Sequence, residues 1–135
     1  MNTLNVLKKT WIGIALCAGL VVLPLPAYAD ASSEVATAAE HAGLSAASNS
    51  ILMAHTHLHH TLNCLVGPKG RGFDTKAANP CASLGNGAIP DTTDAHTRKE
   101  LAHIAYRVRR ALRSQSLATV QNDAVAIEAD LKKVG

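Results

Sequence analysis

Between Met53 and Cys64 the chain places four of its seven histidines, at positions 55, 57, 59 and 60, beside a methionine and a cysteine. Imidazole nitrogen, thioether sulfur and thiolate are the side-chain donors that hold borderline and soft transition metals. The chemistry that this stretch offers is therefore metal coordination. Residues three or four apart on a helix share a face. His55 and His59 are four apart, so two imidazoles can meet one ion. Met53, His57 and His60 follow one another at spacings of four and three. They make a second stripe on a different face, with a sulfur donor that suits copper(I).

More histidines are needed to complete such a site, and they must come from other elements. From 33 to 65 the chain is rich in Ala, Leu and Ser. Leu44, Ile51, Leu58 and Leu65 recur every seven residues, which predicts one long helix over 33–65 with Ser32 or Ser33 as its cap. Gly43 and Ser48-Asn49-Ser50 are its weak points. Gly67-Pro68 closes it. Residues 66–90 form a loop rich in glycine and proline, without apolar period. Its glycines lack the Gly-Lys-Ser/Thr ending of a phosphate loop. A second helix is predicted over 91–114, capped by Asp91 or Thr92, with Leu101, Ile104, Ala105, Val108 and Leu112 on its apolar face. The stripe Leu117, Val120, Ala124, Ile127, Leu131, Val134 is out of phase with that face across Ser114-Gln115-Ser116, so a third helix is placed over 116–134.

If the first two helices fold back antiparallel across the loop, His103 falls level with His55, and His96 with His59 and His60. The expected metal site is therefore His55, His59, His96 and His103, gathered from facing helices as bundle sites are. Met53, His57 and His60 form the expected secondary site. His41 precedes His55 by 14 residues, roughly 21 Å along a straight helix. On that reading it can join a site only through another subunit. Copper is the expected ion, because it heads the divalent affinity series and because Met beside His suits its reduced form; zinc, nickel or cobalt would take the same imidazoles. A haem held by Met53 and His103 is the competing cofactor, non-covalent for want of a Cys-x-x-Cys-His motif.

The rest of the chain bounds the class of protein. Lys8 and Lys9, the apolar run from Trp11 to Leu23, and Ala27-Tyr28-Ala29 have the form of a secretory leader, residues 1–29, cleaved after Ala29. The mature domain would then be 30–135, periplasmic or secreted. Losing Lys8 and Lys9 lowers the net charge from +3 to +1, and only Phe73 and Tyr106 remain as aromatic residues. Neither value suits a nucleic-acid partner. Cys64 and Cys81 are the two cysteines left, and in an oxidising compartment they are expected to pair. No nucleophile elbow or other catalytic motif appears, so the protein is read as non-enzymatic.

The resulting expectation is an all-α fold. A long helical hairpin and a C-terminal helix carry a disulfide-tied loop, and a homodimer completes a four-helix bundle. The function expected is sequestration, delivery or sensing of a transition metal. The alternative is a disulfide-locked interaction module without metal. Arg107, Arg109, Arg110 and Arg113 would then dock an acidic protein or an anionic membrane surface.

Overall fold

The computed structural model describes residues 30–135. The leader reading falls on residues 1–29 and so lies outside the described residues. Five helices, with no strand among the described residues, follow in order: α1 (Ala31–Ala46), α2 (Ile51–Val66), α3 (Ala88–Asp91), α4 (Ala95–Ala111) and α5 (Leu117–Val134). Over the described residues the protein is all-helical, and Cys64 and Cys81 form a disulfide.

The helix expected over 33–65 is in fact two helices. The reason is local hydrogen bonding at Ser48-Asn49-Ser50. Ser48 Oγ donates back to the Leu44 carbonyl at 2.8 Å, and Ser50 Oγ caps α2 by accepting from the Met53 N–H at 3.2 Å. Serine side chains compete with the helix for backbone partners, and at this point they win. From α5, Gln121 Nε2 donates to the Ser48 carbonyl at 2.8 Å and holds the turn down. The seven-residue spacing that seemed to run through the break did so by coincidence, since Leu44 is exposed while Leu58 and Leu65 are buried.

Folding the first segment in two changes the architecture. α1 packs most extensively on α5 and α2, while α4 packs on α5 and, less, on α2. Four long helices thus come from one chain. The α1 face that enters the core is Val35, Ala38, Ala39 and Ala42, and these small side chains allow close approach of its neighbours. Leu58, Leu62 and Leu65 of α2, Leu101, Ile104 and Val108 of α4, and Val120, Ile127 and Leu131 of α5 fill the rest. The break after α4 lies where the two stripes change phase, and Ser116 caps α5 by accepting from Thr119. α4 begins later than the sequence suggests. Asp94 is its cap, and Asp91 instead ends the short α3.

The connection between α2 and α3 is long but firmly held. Gly67 ends α2 at φ 65°, and a Cβ there would fall 1.5 Å from the Asn86 carbonyl oxygen, so the two strands of the loop cross where only glycine fits. The buried Asn63 spans the loop beneath. Its Nδ2 donates to the carbonyls of Asp74 and Ala78, and its Oδ1 accepts from the Asp74 N–H. The disulfide fastens the far side, with 5.2 Å between the Cα atoms.

Glu34 ties α1 to the end of this loop. It is wholly buried, its Oε1 accepts from the Gly87 N–H at 2.8 Å, and its Oε2 has no hydrogen-bond partner. Burial pushes its carboxyl up to about 7, and the nearby Asp91 carboxylate adds to the rise although the Gly87 bond opposes it. Between pH 4.5 and about 7 the native state therefore binds more protons here than the unfolded chain does. The stabilisation is complete at the low end of that window and is lost as pH rises through the native value. Glu34→Gln should remove this loss, making the variant more stable than the parent at pH 8 by up to about 3 kcal/mol. Urea midpoints of the two proteins at pH 5 and pH 8 give the check. The difference between the two proteins isolates Glu34, because histidines titrate in the same range. A difference that does not change with pH would refute the assignment.

Candidate metal centre

Two hydrogen bonds set the register of α1 against α2. Ser45 Oγ donates to the Ala54 carbonyl at 2.9 Å, and Thr61 Oγ1 donates to the Ala38 carbonyl at 3.2 Å; both side chains are buried. His41 lies one turn after Ala38 and His57 one turn before Thr61. The antiparallel pairing therefore brings the two histidines face to face, with His60 one turn further along α2.

The three imidazoles converge. Nδ1 of His41 and Nδ1 of His57 are 3.2 Å apart. The His41 and His60 rings meet edge to face with centroids 4.9 Å apart, and those of His57 and His60 are 5.7 Å apart. One nitrogen from each residue lies within 4.8 Å of the other two. Imidazole nitrogens bound to a tetrahedral ion at 2.0–2.1 Å stand about 3.4 Å from one another. The His41–His57 edge is already near that length. Closing the remaining edges requires an approach of at most about 1.4 Å, within the reach of side-chain rotation.

The electrostatics also favour the ligand form. Burial holds His41 below the ordinary imidazole range, and its neighbour His57 adds to the lowering against the opposing Glu40. Burial lowers His60 as well, with His41, His57 and His59 contributing. A neutral imidazole is the form that binds metal. His60 Nδ1 is buried with no hydrogen-bond partner, a polar atom that the protein itself leaves unsatisfied. All three residues are half-buried, so an ion can enter from solvent. His41, His57 and His60 could together hold a metal ion, and among the described residues they are the one group of three such ligands placed to do so.

The four histidines of the expected primary site are not brought together. His96 and His103 line a cleft between α4 and α5, with Ile104, Asp130 and Val134, rather than facing α2. His96 Nε2 lies 3.2 Å from Glu100, and His103 stacks on Tyr106. His59 turns to the loop, where its Nδ1 lies 3.2 Å from Asp74 Oδ2 without making a hydrogen bond. His55 carries a buried Nε2 without partner, but among the described residues it belongs to no group of three such ligands. The expected secondary stripe fares differently. Two of its members, His57 and His60, are in the cluster. The third, Met53, is exposed one turn before His57. The separation of roughly 21 Å expected between His41 and His55 holds only for an unbroken helix, and the break after α1 removes it. The signal that could have found it is Ser48-Asn49-Ser50, read as a turn.

The arginine run is divided among different surroundings. Arg107 is ion-paired with Asp130 of α5, Arg113 donates to the Arg109 carbonyl, and Arg110 is exposed. No family model, curated protein or solved structure matches this chain.

Proposed function

We propose that this is a non-enzymatic transition-metal-binding protein of an exported compartment, periplasmic or extracellular, that sequesters, delivers or senses its ion. The observation that carries the reading is the convergence of His41, His57 and His60 from two helices pinned in register. The disulfide supports the compartment, since such bonds persist where thiols are not kept reduced. No helix among the described residues is long and apolar enough to cross a membrane.

Copper is the favoured ion. Three imidazoles leave room for a fourth donor, and Met53 precedes His57 by one helical turn, on the same face. An exposed methionine thioether at that place suits copper(I), whereas zinc, nickel or cobalt would use the histidines alone. Purified protein dialysed at neutral pH against each metal should retain one copper per chain, measured by elemental analysis. Met53→Ala should weaken copper(I) binding on the order of tenfold and leave zinc(II) binding nearly unchanged. Equal effects on both ions would withdraw the copper(I) assignment and leave the three-histidine centre standing. No retained metal of any kind would overturn the reading.

A further inference from the structure

A second cleft, lined by none of the histidines, lies between the loop, α3 and α4. The 66–72 segment, the stretch around α3 and one face of α4 enclose a cleft of about 660 Å³. That is the size of a small-molecule pocket, for which 300–1,000 Å³ is usual. Its floor is apolar, made by Val66, Ile89, Ala102 and Ala105. Its rim is cationic, with Lys69 and Arg71 on the loop and Arg98 and Arg109 on the helix.

The helix side has a simple layout. Arg98, Ala102, Ala105 and Arg109 follow at spacings of four, three and four, so they form one stripe with small residues in the middle and a guanidinium at each end. Arg98 is anchored by donating from Nη2 to the Thr92 carbonyl at 2.6 Å. Among the described residues none of these four cations has a carboxylate within 4.0 Å. Asp91 is the one acid in the lining, where it accepts from the Asn86 N–H and from Asn86 Nδ2, so the lining carries four cationic side chains against one carboxylate. The loop wall is fixed in advance by the Gly67–Gly87 crossing, the Asn63 fork and the disulfide. A wall set in place before binding lowers the ordering cost of holding a ligand.

We propose that this cleft binds a small amphipathic anion, a carboxylate or phosphate group carried on an apolar body. The anionic head meets the rim arginines and the body lies on the alanine floor. A concave cleft of this size fits a single small molecule better than a flat membrane or a folded partner.

Titration calorimetry tests it, with chelator present so that the result does not depend on the metal centre. The probes are octanoate and octyl phosphate, with octanol, inorganic phosphate and phosphatidylglycerol vesicles as comparisons. Octanoate or octyl phosphate should bind saturably, one per chain. Ala102→Trp fills the floor from an exposed helix position without changing charge, and should weaken that binding at least tenfold while helicity by circular dichroism is kept. Arg71→Gln with Arg98→Gln should weaken it similarly and flatten its salt dependence. Unchanged binding in Ala102→Trp would overturn the proposal. So would octanol or inorganic phosphate binding as tightly as the amphiphile, or binding to vesicles without binding to the monomeric probes.

Discussion

His41→Ala is expected to lower metal affinity by at least about a hundredfold, and His57→Ala and His60→Ala to do the same. The expectation rests on distance. These nitrogens already lie within 4.8 Å of one another, and the closest pair is 3.2 Å apart, so each removal takes away a ligand that needs little movement to bind. Outer partners of a metal site typically alter affinity by 10–100-fold, and a direct ligand should matter at least as much. His96→Ala and His103→Ala should leave affinity within about twofold, since those side chains lie in the α4–α5 cleft. Competition against a chromophoric chelator at neutral pH, using all five variants, measures this. Loss only in the His96 and His103 variants would reinstate the site drawn from one long helix and sink the triad. The sign of the pH effect also follows. Protons compete for the same nitrogens, so affinity should fall with pH. Because His41 and His60 are held below the ordinary imidazole range, those two side chains stay neutral somewhat further into acid than free imidazoles would.

The second large effect is on stability. Replacing Cys64 and Cys81 together by alanine should cost about 3 kcal/mol, the chain-entropy value for a cross-link spanning 17 residues. For a domain of this length that corresponds to a fall in Tm of roughly 10–20 °C, measured by thermal unfolding. The loss should be selective in function. The register of His41 against His57 and His60 is set by the Ser45 and Thr61 hydrogen bonds, which do not involve the loop, so metal affinity at low temperature should survive. Binding of amphipathic anions should not survive, because the loop is one wall of that cleft. A disulfide-free variant that loses both kinds of binding together would show that loop and metal centre are coupled and would overturn their independence.

Much of the fold is legible in residue order because it depends on local chemistry. The apolar stripe of α5, the glycine that ends α2, the phase change at Ser114-Gln115-Ser116 and the pairing of two cysteines are short-range or combinatorial facts, and the structure agrees with each. Two of the three residues of the candidate metal centre were legible for the same reason, since His57 and His60 lie on one helix and their spacing alone puts them on one face. What order could not decide was whether Ser48-Asn49-Ser50 bends a helix or ends it. Both outcomes keep the seven-residue spacing of leucines and isoleucine, and the free energies differ by a few hydrogen bonds. Those bonds are partly tertiary: Ser48 and Ser50 turn the chain, but Gln121 of α5 secures the turn, and Ser45 and Thr61 choose the register only after α1 has met α2. That one decision moved His41 from a distant position to 3.2 Å from His57, turned the three expected helices into four long ones, and joined His41 to His57 and His60 of the expected secondary stripe as the candidate ligands. A side chain's neighbours along one helix follow from the helical repeat. Its neighbours on the next helix follow from where the chain turns, and that was settled by contacts between residues far apart in the chain.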